Sequence, residues 1–96
     1  MPTYVCLIRF TDQGIRNIKD TVKRGDAAMA EAEKMGMKIV EELWTMGAYD
    51  GVAIIEAPDE TMSAFILKVG SLGNVTNQTS RAFRRNEMKA IPAKIK

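Results

Sequence analysis

The sequence predicts an α+β domain in which a four-stranded antiparallel sheet carries two helices on one face. Four short runs are rich in β-branched and aromatic residues, and two stretches show apolar residues at helical spacing, one after the first run and one after the third. The 96 residues leave room for a single domain spanning the chain. With 46% hydrophobic and 27% charged residues, the composition is that of an ordinary globular protein.

The first strand is predicted over Thr3 to Phe10 (TYVCLIRF), and both of its faces are largely apolar. Thr11 or Asp12 then provides an N-cap for a helical segment. We expect 24–26 (RGD) to interrupt that segment, with Asp26 capping a second, Ala-rich helix that stops at Gly36.

The second and third strands form a predicted hairpin. Met37 to Met46 (MKIVEELWTM) reads as an alternating strand, and Val52 to Ala57 (VAIIEA) follows a turn over Gly47 to Gly51. Simple alternation puts Ile39 and Leu43 on one face of the second strand, and Val40, Trp44 and Met46 on the other.

The clearest helix follows Pro58, with Asp59 as its N-cap and a single apolar stripe along it. The stripe consists of Met62, Phe65, Ile66, Val69 and Leu72. Asn74 to Phe83 is a polar final strand suited to a sheet edge. Residues 86–96 are expected to be a tail or to hold a short helix before Pro92.

The order β-α-β-β-α-β is that of the ferredoxin-like fold. Right-handed crossovers place both helices on one face and give the strand order 4-1-3-2. The other face is left bare although Val5 and Leu7 lie on it, and an uncovered apolar sheet face usually meets a partner. We therefore expect a homodimer, or a higher homo-oligomer, closed through the bare faces into a dimeric α/β barrel.

The chain resembles the GYD domain family, small proteins of the dimeric α/β barrel superfamily, over nearly its whole length. The matching stretches are YVCLIRFTDQGIRNIKDT, AEKMGMKIVEELWTMGAYDGVAIIEAPDE and LGNVTNQTSRAF, and the signature stands at Gly47, Tyr49 and Asp50. The resemblance implies the fold and a homo-oligomer, and it implies no defined biochemical role.

The predicted topology gathers polar residues at one rim of the sheet. Arg9, Tyr49, Asp50 and Asn74 should approach one another there, and Arg9 and Asp50 could form a charge-assisted pair if they share a face. The alternative is structural: Asp50 caps backbone amides and Tyr49 packs near the hairpin. Trp44 suits a core, an interface or a ligand contact, and Arg24 either caps helix carbonyls or reaches an anion. The candidate ligand-binding residues are Arg9, Arg24, Trp44, Tyr49, Asp50 and Asn74.

Three functions remain open at this point. The first is a non-enzymatic, homo-oligomeric domain that binds or senses a small molecule in a pocket lined by Val5, Leu7, Trp44, Val52 and Ile54. The second, by analogy with relatives in the superfamily, is a cofactor-independent oxygenase or isomerase acting on a small organic compound. Tyr49 would be the acid or a hydrogen-bond donor, Asp50 the base or an orienting group, and Arg9 or Asn74 would stabilise an enolate. The third is a purely structural assembly module.

Composition argues against several other classes. The chain has no histidine, which removes His-ligated zinc and haem and the usual general base, so we expect neither metal nor cofactor. A net charge of +2 and a tail interrupted by Glu87 do not predict nucleic-acid binding. The single cysteine and the lack of a long apolar run predict a cytoplasmic protein without a membrane segment.

Overall fold

A computed structural model describes all 96 residues as one sheet with helices packed on it. The strands are β1 (Thr3–Phe10), β2 (Lys38–Trp44), β3 (Gly51–Glu56) and β4 (Val75–Ala82). The α-helices are α1 (Asp12–Arg16), α2 (Thr21–Lys34), α3 (Asp59–Ser71) and α4 (Arg85–Ala90), with short 3₁₀ turns at Ile18–Asp20 and Pro92–Lys94. None of these helices combines the length and apolar character needed to cross a membrane.

All strand pairs are antiparallel and the spatial order is β2-β3-β1-β4, which confirms the predicted order 4-1-3-2. At the centre of the sheet, Cys6 lies opposite Ala53 on one side and Thr79 on the other. The two central strands are therefore β1 and β3, and the polar β4 is an edge strand as its composition predicts.

The hydrophobic core lies between the sheet and the helices α2 and α3. It contains nine residues: Tyr4, Cys6, Ala32, Met37, Ala53, Ile55, Ala57, Met62 and Phe65. Only 13 of the 96 residues are buried, so a single copy of the chain leaves much of its apolar surface in contact with water.

The predicted interruption at 24–26 is wrong, because α2 runs without a break from Thr21 to Lys34. The break comes earlier, at Asn17, between α1 and the 3₁₀ turn. Gly25 is buried within α2, and a glycine inside a helix costs only about 1 kcal/mol relative to alanine, which tertiary contacts can offset. The predicted cap at the start of α1 is confirmed, because the Thr11 side chain accepts a hydrogen bond from the Gly14 amide. The predicted stop at the end of α2 is confirmed too, since Gly36 follows this helix with φ of 76°.

The predicted faces of β2 are also wrong beyond its first residues. A β-bulge between Ile39 and Glu41 adds a residue to β2, and every side chain after it changes face. Ile39 pairs with Ile55 before the bulge, whereas Glu42 pairs with Ala53 after it. Glu42 and Trp44 consequently face the helices, and Leu43 lies on the opposite face.

The last two segments follow the prediction closely. The helix α3 begins at Asp59, although Pro58 rather than Asp59 holds the N-cap position. The C-terminal residues form the short helix α4 before Pro92.

Candidate functional site

The rim at the end of β1 is organised by Asp50. Its carboxylate Oδ2 accepts a hydrogen bond of 2.8 Å from the amide of Phe10, and its own amide donates to the carbonyl of Ile8 at 2.8 Å. The Asp50 carbonyl also accepts from the amide of Thr45 at 2.9 Å. Asp50 thus ties three strand ends together and serves as a backbone cap, the structural alternative for this residue.

Arg9 interacts with Tyr49 rather than with Asp50. The Arg9 guanidinium lies over the Tyr49 ring, 5.0 Å from its centroid, and the Tyr49 hydroxyl donates to Oε1 of Gln78 at 2.6 Å. Leu7, two residues before Arg9, pairs with Val52, two residues after Asp50, so Arg9 and Asp50 do come to the same rim. The possible Arg9–Asp50 ion pair does not form, because the Asp50 carboxylate is engaged by a backbone amide that the strand end would otherwise leave unpaired.

Asn74 joins α1 to the loop before β4. Its carbonyl accepts from the amide of Thr11 at 3.1 Å, and its side-chain Oδ1 accepts from Nε2 of Gln13 at 2.9 Å. Gly14 packs so closely against this carbonyl that a Cβ there would lie 2.0 Å from the oxygen. Asn74 is therefore a structural connection at the rim.

Trp44 and Arg24 lie on the helix side of the sheet, away from the Arg9–Tyr49 stack. The Trp44 indole N–H donates to the Thr21 hydroxyl at 3.0 Å, with 42% of the residue exposed. The Arg24 guanidinium donates to the carbonyls of Asn17 at 2.7 Å and Gly14 at 3.2 Å, so it caps carbonyls at the end of α1. Four of the six candidate residues, Arg24, Trp44, Asp50 and Asn74, line one cleft on this side of the sheet, and Arg9 and Tyr49 do not. The predicted apolar lining is not there either, because Val5, Leu7, Val52 and Ile54 lie on the face opposite Trp44.

A cleft opens between α2 and α3 on the helix side of the sheet, with a volume of about 350 Å³. Most of the residues that line it are hydrophobic. Its apolar lining includes Cys6, Ile8, Ala53 and Ile55 from the sheet, with Phe65, Ile66 and Val69 from α3. This size and composition match a small-molecule site, for which about 300 to 1,000 Å³ is usual.

Five charged side chains line the cleft, and four of them have partners within the protein. Arg24 binds the carbonyls described above, Asp50 binds the Phe10 amide, and Lys68 Nζ pairs with Glu31 Oε1 at 2.6 Å across the two helices. The hydrogen bond from Lys68 lowers the pKa of Glu31. The fifth, Glu42, makes no hydrogen bond or ion pair.

Glu42 lies against the backbone of α2 at Gly25, where a Cβ would be 2.7 Å from Oε1 of Glu42. Burial, and then the nearby charge of Asp26, raises the pKa of the Glu42 carboxyl. Glu42 is not among the candidates predicted from the sequence, because simple alternation of β2 does not reveal the bulge that turns this side chain toward the helices. The glycine within α2 is the one local signal, and by itself it predicts a helix break.

Cys6 and the acidic residues offer no further reactive site. Burial raises the pKa of the Cys6 thiol, which accepts a weak hydrogen bond from Thr79 Oγ1 at 3.6 Å. No three His, Cys, Asp or Glu side chains converge where a metal ion could be held.

Comparisons with known proteins agree on one family. The profile of the GYD domain matches residues 4–91. A relative from Thermus thermophilus is 31% identical over 84 residues, which cover 85% of this chain and 88% of the relative, and it is named "Glutamine synthetase and cystathionine beta-lyase binding protein". No solved structure matches the chain significantly.

Proposed function

Because the chain belongs to the GYD domain family, we propose that it is a homodimeric binding protein that takes a small molecule into its helix-side cleft and attaches to partner enzymes. The observation that carries the proposal is the sheet face opposite the helices. Val5 and Leu7 of β1 lie on this face opposite Ile54 and Val52 of β3, and all four are only half-buried. Leu43 on the neighbouring strand is 53% exposed.

A second copy of the chain is the occupant that suits this face best. Most of the apolar side chains lie on the two central strands. Apart from Leu43, the edge strands contribute polar ones: Lys38 and Glu41 from β2, and Thr76, Gln78 and Ser80 from β4. An apolar centre with a polar border is the usual composition of an interface. The pattern also suits a twofold contact, in which the same patch must be complementary to itself.

Such a dimer would leave the cleft free and would bring the rim residues to the subunit seam. Arg9, Tyr49 and Gln78 belong to the dimerising face, whereas the cleft lies on the other side of the sheet. Enzyme binding, which the Thermus relative's name states for that protein, would then use the remaining outer surface.

Sedimentation velocity tests the dimer with two matched variants. Ile54→Lys introduces a charge into the proposed interface, and Leu67→Lys makes a comparable change on α3, where Leu67 is 74% exposed. We expect the wild type and Leu67→Lys to be dimers at micromolar concentration and Ile54→Lys to be a folded monomer. A monomeric wild type at tens of micromolar would contradict the proposal.

Attachment to enzymes is tested by isothermal titration calorimetry with glutamine synthetase and with cystathionine beta-lyase purified from the same organism. Saturable heat with at least one of them, and none with an unrelated enzyme of similar size, is the expected result. Absence of binding to both would remove the enzyme-binding part of the proposal and leave the dimer to its own test.

A further inference from the structure

From the cleft geometry we infer that its ligand is a small apolar molecule bearing a protonated amine, which pairs with the Glu42 carboxylate. This inference rests on the proposed function, because it assigns a ligand class to the same cleft. Glu42 is the one charged side chain lining the cleft that no protein group pairs with.

The two cations that line the cleft with Glu42 are already engaged. Arg24 donates both of its terminal nitrogens to backbone carbonyls, and Lys68 pairs with Glu31 at 2.6 Å. Asp26 adds further negative charge beside Glu42. A neutral or anionic ligand would leave the carboxylate without a counter-charge in a mostly apolar site, whereas an ammonium group supplies both the charge and the hydrogen bonds.

The backbone of α2 is shaped to accept this carboxylate. Gly25 has no side chain, and a Cβ at that position would lie 2.7 Å from Glu42 Oε1 and 3.4 Å from Cδ. The β2 bulge supplies the other half of the arrangement, because it turns Glu42 toward the helices instead of toward the open face. A glycine within α2 and a bulge in β2 thus together place one charge in the cleft.

The apolar lining determines the rest of the ligand. Phe65, Ile66 and Val69 lie on the α3 side of the cleft, and Cys6 and Ile8 lie on its sheet side. An aromatic or branched aliphatic body would fill this volume, and its amine would lie toward β2. Trp44 also lines the cleft, so its fluorescence reports on occupancy.

Three probes of similar shape test the inference: 2-phenylethylamine, 2-phenylethanol and 3-phenylpropanoate. Binding is followed by Trp44 fluorescence and by ¹H–¹⁵N chemical shifts of the cleft residues. We expect the amine to bind about tenfold or more tightly than the alcohol, and the carboxylate to bind weakest, because a charge-assisted hydrogen bond is roughly twice as strong as a neutral one.

Two variants separate charge at Glu42 from charge nearby. Glu42→Gln should bring the amine and the alcohol to equal affinity, whereas Glu41→Gln, which removes a carboxylate from the opposite face of the same strand, should leave the tenfold preference unchanged. Equal affinity for amine and alcohol in the wild type, or a preference that survives Glu42→Gln, would overturn the inference while the cleft remained a binding site. Failure of all three probes to shift any cleft residue would overturn both the inference and the small-molecule part of the proposed function.

Discussion

Replacing Gly14 by alanine should lower the melting temperature strongly, whereas the same replacement at Gly25 should leave it close to that of the wild type. Both glycines lie in helices, so alanine gains about 1 kcal/mol of helix propensity at either position. The difference lies in the atom that the new methyl group meets. At Gly14 it is the backbone carbonyl oxygen of Asn74 at 2.0 Å, and at Gly25 it is the flexible end of Glu42 at 2.7 Å.

The size of the Gly14→Ala effect follows from the movement that it requires. Helix α1 and the loop before β4 must separate by about 1 Å before the new contact reaches even 3.0 Å. That movement breaks the 3.1 Å hydrogen bond between the Thr11 amide and Asn74. Overpacking costs about 1–3 kcal/mol and the lost hydrogen bond about 1 kcal/mol, so the net loss after the propensity gain is about 2 kcal/mol. For a domain of this length, that lowers Tm by roughly 8–16 °C.

Thermal unfolding followed by circular dichroism measures both effects, and Gly70→Ala provides the control. Gly70 also lies in a helix, but a Cβ there would meet nothing within 4 Å, so this variant isolates helix propensity. We expect Gly70→Ala to melt roughly 4–8 °C above the wild type, and Gly25→Ala, whose methyl group must displace the end of Glu42, to melt between the two. The reasoning is refuted if Gly14→Ala melts with them, or if Gly25→Ala loses as much stability as Gly14→Ala.

Three further predictions concern ionisable groups. Because burial raises the pKa of Cys6, a thiol reagent at pH 8 should label the folded protein only as fast as it unfolds, and labelling within the mixing time would contradict this. Lys68→Ala should leave the midpoint of urea unfolding close to that of the wild type, since its pair with Glu31 is exposed, and a clearly lower midpoint would contradict this. Glu42→Gln should be slightly more stable than the wild type at pH 7, because burial and then Asp26 raise the pKa of Glu42 and favour its protonated form in the folded state. That difference should vanish near pH 4, where the carboxyl is largely protonated folded or unfolded, and a difference that grew toward acid would reverse the assigned direction.

The strand order could be predicted from the sequence because it depends on the order of strongly patterned elements. The run TYVCLIRF gives the bounds of β1 as the structure has them, and the apolar stripe of α3 gives its buried residues Met62 and Phe65. Both predictions agree with the structure because each segment can bury its apolar side chains in only one orientation. The capping residues Thr11 and Gly36 were predictable for a similar reason, as their roles are local.

The candidate site was harder to predict because its geometry is decided by competition between distant groups. Arg9 and Asp50 have opposite charges at one rim, yet Asp50 accepts from the amide of Phe10 and Arg9 lies over Tyr49. No property of the local sequence ranks a backbone amide above a guanidinium as the partner. In β2, both faces carry apolar residues, so the alternation pattern could not predict the bulge.

The β2 bulge decides which side chains of this edge strand face the helices, because it keeps Val40 out of the regular pairing. If every residue of β2 entered a regular ladder, Val40 would pair with Ile54, so Glu42 and Trp44 would pass to the open face and Leu43 to the helices. A charge would then lie among the half-buried apolar residues of β1 and β3, and the cleft would lose its acid. Deleting Val40 has the opposite consequence: Glu41 stays opposite Ile54 and Glu42 opposite Ala53, so a single-codon deletion would straighten the strand and keep both the open face and the acid of the cleft.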